Sequence, residues 1–186
     1  MRICGSLWAA FFLVWMIWAI RTKRTQTRES VSSRLPYTVL TVAAFYLMGT
    51  ADISADWLRI RVFPASLWLE ALGIAITVAG LGFAIWARAY LGTNWSGAVT
   101  VKFGHELVRS GPYRWVRHPI YSGMILAMLG TALERQQLRG LVAVVLLYAG
   151  FTLKSRIEER AMTGLFGAEY QDYTRNTGAI LPKLRS

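Results

Sequence analysis

VKFGHELVRSGPYRWVRHPIYSG, residues 101–123, stands between two apolar runs and decides how the rest of the chain is read. It crowds His105, Arg109, Arg114, Arg117, His118, Tyr113, Tyr121 and the Gly111-Pro112 turn against the start of an apolar segment at Pro119. A charge at the centre of a bilayer costs about 2.5–3.5 kcal/mol or more, so polar groups placed this close to hydrocarbon mark a site. A second polar block, KSRIEERAMTGLFGAEYQDY at residues 154–173, follows the last apolar run. The two blocks are expected to close over one ligand.

Working outward, the composition fits a small integral membrane protein. The 186 residues are 54% hydrophobic and 13% aromatic, and the mean hydropathy is +0.36; a soluble domain of this length is less oily. The lone Cys4 has no partner for an internal disulfide, and no Cys/His cluster supports zinc. The net charge of +11 raises nucleic acid as a partner, but the basic residues flank apolar runs instead of lining one soluble face. Anionic lipid headgroups and the positive-inside rule account for them, so membrane lipids are the expected partners and nucleic acid is not.

Charge-free runs over residues 3–20 and 35–51, and the run 67–87 with Glu70 near its outer end, each suit a spanning helix. The first ends at Arg21, Lys23 and Arg24, the reverse of a signal peptide, and reads as retained. The second is expected to open at Pro36, with Asp52 and Asp56 sharing a helix face at its far end. Gly73, Gly80 and Gly82 in the third suggest close helix packing. The polar connection 88–117 is too long for a plain loop. Two shorter runs, 119–133 and 140–153, predict a hairpin whose arms cover only about 22 Å of a core of about 30 Å. From Lys154 a charged surface helix is expected to reach about Tyr173.

The expectation is therefore an all-α integral membrane protein of about five transmembrane helices, with a long cytoplasmic connection and a C-terminal amphipathic helix. It is read as a single domain over 1–186, with three amino-terminal helices in 1–88 and the polar blocks in 89–186. Most of the 21 basic residues fall on one side if the amino terminus lies outside, which puts both blocks on the cytoplasmic side.

No GxSxG elbow, HExxH, P-loop or kinase signature is present, so candidates for chemistry are confined to the two blocks. There His105-Glu-Leu-Val108, Gly111-Pro-Tyr113, Arg117-His-Pro-Ile-Tyr121, Glu158-Glu159 and Phe166-Gly-x-x-Tyr170-x-x-Tyr173 follow one another, with Leu91-Gly-x-Asn94-Trp95-Ser96 upstream. In order and spacing this half of the chain resembles the isoprenylcysteine carboxyl methyltransferase family. The resemblance implies a membrane methyltransferase that uses S-adenosylmethionine without a Rossmann fold, its C-terminal helix closing over the cofactor. By position it implies that His105, Leu107, Val108 and Thr100 line the adenosine. Tyr113, His118, Pro119 and Tyr121 would continue the cofactor wall, and Glu158 would contact the methionine part. The family's carboxylate-binding arginine falls on Lys154, a point charge in place of a bidentate fork. Lys154, Arg156 and Glu158 are the catalytic candidates, and no metal is expected.

The chemistry of the residues points the same way. The cofactor needs an apolar neighbour for adenine, a carboxylate for its amino group, donors for its carboxylate and aromatic faces for its sulfonium, and the blocks supply all four. Pro119 as first helical residue would set free N–H groups beside His118, suited to an anion. Other readings stay open: His118 as a plain helix cap, Tyr113 and Tyr121 as interfacial belt residues, and Arg114 and Arg117 as headgroup or topology residues. Of the adjacent Glu158 and Glu159, only Glu158 is expected to face inward. The leading expectation is methyl transfer to a lipophilic acceptor entering from the bilayer, resembling protein-S-isoprenylcysteine O-methylation. The alternatives are phospholipid N-methylation, an NADPH-dependent reductase like the sterol reductases, and a non-catalytic lipid-binding protein.

Overall fold

The computed structural model describes residues 3–19, 25–28, 30–50, 55–92, 100–102 and 107–183. In order these form α1 (Ile3–Ala19), β1 (Thr25–Arg28), α2 (Val31–Gly49), a 3-10 turn (Asp56–Arg59), α3 (Leu67–Leu91), β2 (Thr100–Lys102), a second 3-10 turn (Gly111–Arg114), α4 (Pro119–Arg135), α5 (Leu138–Phe166) and α6 (Ala168–Asn176). The all-α expectation gains one small addition, for β1 and β2 pair antiparallel with Arg28 opposite Thr100.

Two helices, α3 at 25 residues and α5 at 29, are long and apolar enough to cross a membrane; α1 is apolar but shorter. The expected boundary between a short hairpin arm and a separate surface helix at Lys154 does not exist. α5 runs through it, because neither glycine nor proline interrupts residues 151–163, and stops only where Gly167 adopts φ +55°. At 1.5 Å per residue α5 is about 44 Å long, more than a bilayer core requires. α2 also differs from expectation. It begins before Pro36, where the Ser30 side chain accepts from the Ser33 N–H. Pro36 then lies inside the helix and deprives the Ser32 carbonyl of its donor, which is tolerable because Ser32 is exposed. Asp56 stands in a 3-10 turn after α2, and Asp52 lies outside the described residues.

The tightest seam joins α3 to α4. Gly73 and Gly80 meet Gly130 and Gly123, and a Cβ built on Gly80 would lie 2.4 Å from the Ala127 nitrogen. Without a hydrophobic drive between helices in lipid, such small-residue contact is what brings them together. α1 joins this seam through buried polar bonds: Trp8 Nε1 donates to Thr131 Oγ1 at 3.0 Å, and Cys4 Sγ to Thr77 Oγ1 at 3.3 Å. The buried Arg88 fastens the other end, donating to Gly92 O at 2.7 Å and Trp18 O at 3.1 Å. One guanidinium thereby satisfies late carbonyls of both α1 and α3.

These contacts fix the directions. α1 and α3 end together at Arg88, where α4 starts through Tyr113, whose hydroxyl donates to Ala87 O at 3.3 Å. The opposite end gathers Thr50, Ser66 and the α4–α5 turn, through Arg139 donating to Thr50 O at 2.8 Å and Gln136 to Ser66 O at 3.0 Å. Both polar blocks therefore sit at one end of the bundle.

Candidate active site

His118 sits at the centre. It is the N-cap residue of α4, with Pro119 first in the helix, but its side chain makes no capping bond, so the simple helix-cap reading falls. Its backbone is held from outside the helix. After α6 the chain returns past residues 116–118, where Arg117 N donates to Gly178 O at 2.8 Å and His118 N to Ala179 O at 3.0 Å. Gly178 is obligatory in this strap, since a Cβ there would lie 1.9 Å from Leu181 O.

The imidazole faces two carboxylates from α5. Nδ1 lies 3.3 Å from Glu158 Oε2 and Nε2 lies 3.1 Å from Glu159 Oε1, with the His118 side chain 10% exposed. The expectation that only Glu158 turns inward is corrected: the ring presents one nitrogen to each of two successive helical residues. A neutral imidazole would set a lone pair against one carboxylate, whereas the imidazolium donates to both. Burial pulls the His118 pKa down, but the hydrogen bonds and charges of Glu158 and Glu159 outweigh it and raise the group above its ordinary 6.5.

Arg117 is equally integral. It donates from Nε to Glu159 Oε1 at 2.8 Å and from Nη2 to the same oxygen at 2.7 Å, and it holds the Thr177 carbonyl of the returning chain. Reading it as a headgroup or topology residue therefore fails; Arg114, by contrast, is exposed. On the other flank the Tyr121 hydroxyl donates to Glu158 Oε1 at 2.6 Å, and its ring stacks on His118 at 5.4 Å and on Phe151 at 4.5 Å. Lys154 Nζ lies 5.4 Å from the Tyr121 ring centre and 5.6 Å from that of Tyr37 on α2.

Tyr113 is buried in the core and carries a contact to α6, its carbonyl accepting from the Tyr173 hydroxyl. Burial, with Tyr173 and Glu158 nearby, holds the Tyr113 phenol well above its usual range. Tyr170 and Tyr173, one turn apart, form the buried face of α6, and Arg109 pairs with Glu169 on the same helix. Leu107 and Val108 are half-buried, Val108 against the core. Thr100 lies on the ribbon, and His105 lies outside the described residues. Arg156 parts company with Lys154 and Glu158: it lines an open cavity of about 360 Å³ with Glu159, Arg160 and Thr163, and neither Lys154 nor Glu158 lines it. Two residues on from Lys154 is a turn of about 200°, which carries its side chain to another face. No group of three or more acidic, His or Cys side chains that could hold a metal occurs among the described residues.

The bundle has two helices long and apolar enough to cross a membrane and a half-buried His–Glu–Glu–Arg cluster at one end, and comparison with known proteins narrows the class. Residues 68–169 match the family described as phospholipid methyltransferase, and the chain belongs to that family. The isoprenylcysteine carboxyl methyltransferase resemblance drawn from the motifs holds as well. The mouse protein-S-isoprenylcysteine O-methyltransferase is 26% identical over 176 residues, covering 92% of this chain and 60% of its own. An uncharacterized protein of Bacillus subtilis (strain 168), YpbQ, is 31% identical over 109 residues, 59% of this chain and 61% of its own. The solved eukaryotic intramembrane Ras methyltransferase, isoprenylcysteine carboxyl methyltransferase, superposes with TM-score 0.55 at 25% identity, covering 82% of this chain and 50% of that one. The chain thus spans about three fifths of the length of the curated relatives it matches.

Proposed function

We propose that the chain transfers a methyl group from S-adenosylmethionine to a lipophilic acceptor that carries a carboxylate and enters from the bilayer. The observation that carries this reading is one continuous run of contacts, Lys154–Tyr121–Glu158–His118–Glu159–Arg117, built from both polar blocks. The residues suit the donor. Glu158 accepts one bond at each oxygen from Tyr121 and His118, and each oxygen has a further lone pair for the donor's amino group. The first-turn N–H groups of α4 suit its carboxylate. Leu107 and Val108, with Thr100 and His105, are the proposed adenosine contacts.

When bound, the donor supplies an electrophilic methyl on a sulfonium, open to in-line displacement. The protein's part is positioning and exclusion of water. Lys154 orients the acceptor anion, which needs no general base. Phe151 and the apolar length of α5 seat its body, and the Arg117 anchor keeps the returning chain closed against His118. About five spans, an outer amino terminus and a cytoplasmic site complete the proposal, supported by the gathering of both polar blocks at one bundle end.

A phospholipid amine as acceptor is favoured by the family's description. Against it, the Lys154 ammonium repels an acceptor cation. Isothermal titration of the detergent-purified protein with S-adenosylmethionine and its demethylated product should give micromolar affinity. Labelled methyl should then pass to an amino-blocked S-farnesylcysteine and not to phosphatidylethanolamine. Absence of binding, with a melting shift by NADPH, would turn the reading to a reductase; no response to either nucleotide would turn it to a non-catalytic lipid binder.

A further inference from the structure

The candidate site residues that the motifs single out all lie beyond α3, yet the site has a wall made by α2. Tyr37 is buried at 7% exposure on the face of α2 that packs along α5. The two helices come close at Gly150, where an added Cβ would meet Thr41 Oγ1 at 3.1 Å, Tyr37 O at 3.2 Å and Leu40 Cβ at 3.3 Å. Lys154 follows Gly150 by one helical turn, so the contact that brings the backbones together also sets the Tyr37 ring beside the Lys154 ammonium. The Tyr37 carbonyl is itself held, accepting from Thr41 Oγ1 at 2.7 Å.

The second ring is fixed independently. Tyr121 is tied to Glu158 by its hydroxyl and stacks with both His118 and Phe151. Lys154 Nζ lies 5.6 Å from one ring centre and 5.4 Å from the other, within cation–π range of both. A lysine is a flexible four-carbon stem with a compact charge, and left to itself it lacks the preorganisation of an arginine fork. Two aromatic faces, one from α2 and one from α4, restore that lost geometry.

We propose that Tyr37 is a positioning residue for the acceptor: with Tyr121 it clamps the Lys154 ammonium so that the cation meets a carboxylate carried on an apolar body. The inference rests on the methyltransferase reading above and gives α2 a role in selecting the substrate. The ring is what matters, not the hydroxyl. Loss of the ring takes one of the two aromatic faces from the lysine, weakening its hold on the acceptor while leaving Glu158 and the other proposed donor contacts, none of which lies on α2, unchanged.

The test is steady-state transfer of labelled methyl to amino-blocked S-farnesylcysteine by the full chain, with titration of the demethylated donor as a separate readout. Tyr37→Leu is expected to raise the acceptor KM about tenfold, the scale of a desolvated cation–π contact, with donor Kd and kcat within twofold. Tyr37→Phe is expected to restore the parent KM. An unchanged KM in Tyr37→Leu, a Tyr37→Phe as impaired as Tyr37→Leu, or a donor affinity that falls along with the acceptor's would each overturn the inference. If Tyr37→Leu fails to bind donor because it does not fold, Tyr37→Met, which fills the space without an aromatic face, decides by the same criteria. Failure of the underlying reading would show in the parent, which would then methylate no such acceptor and sink both; failure of the inference alone shows only in the variants.

Discussion

Replacing Glu158 by glutamine separates donor binding from mere folding. In the parent, Oε1 accepts from the Tyr121 hydroxyl at 2.6 Å and Oε2 faces His118 Nδ1 at 3.3 Å. Glutamine keeps one acceptor oxygen, which the Tyr121 hydroxyl can use, but presents an N–H₂ to a ring nitrogen that is itself a donor when protonated. The side chain also loses the charge meant for the donor's amino group. A hydrogen bond to a charged group is worth about 1.5–3 kcal/mol, so donor affinity should fall roughly 10- to 150-fold. Glu159→Gln is the matched control, because Glu159 spends its contacts on Arg117 and His118 and should cost stability more than affinity. Isothermal titration with the demethylated donor, alongside melting of both variants, reads the two effects separately. Affinity within threefold of the parent for Glu158→Gln, or equal losses in both variants, would refute the assignment of Glu158 to the donor.

The remaining expectations are shorter. Because the folded pKa of His118 is raised, its stabilisation is full below about pH 6.5 and is lost as pH rises through the higher folded value; the melting temperature should fall across that window, and less so in Glu158→Gln. Gly80→Val should destabilise by about 1–3 kcal/mol or more through overpacking against Ala127, whereas Gly82→Ala, with nothing within 4 Å of the added carbon, should be neutral or stabilising in the same detergent melt. Lys154→Arg should keep carboxylate methylation and Lys154→Met should abolish it, with Arg156→Ala changing little because its exposed side chain leaves α5 on another face; tolerance of Lys154→Met would favour an amine acceptor.

Much of this was legible in the residues, and the misses have common causes. The apolar runs located α1 and α3, and the spacing of Arg117-His-Pro-Ile-Tyr121 with Glu158 named side chains that do meet. Hydropathy placed a boundary at Lys154 because charge begins there, but charge does not end a helix; Gly167 does. Proline statistics placed the start of α2 at Pro36, although the cap at Ser30 had the stronger local chemistry. The headgroup reading of Arg117 stays open in the sequence because its partners are distant along the chain, Glu159 in the other block and the Thr177 carbonyl beyond it. Tyr37 escaped for the same reason in stronger form. It belongs to no motif and becomes a neighbour of Lys154 only through the helix contact at Gly150.

The unbroken course of α5 bears directly on the proposed chemistry. Lys154 and Glu158 are one turn apart, so the groups assigned to acceptor and donor are spaced by about 6 Å along a single rigid helix. Had the helix broken at Lys154, their separation would have depended on a loop, and near-attack geometry tolerates little error in such a distance. Tyr121 reinforces the same spacing from α4, its hydroxyl on Glu158 and its ring on Lys154. The charge that looks misplaced at the end of an apolar run is thus carried on the element that can measure the distance between two substrates, and Arg117 and His118 hold the neighbouring chain to that same helix through Glu159.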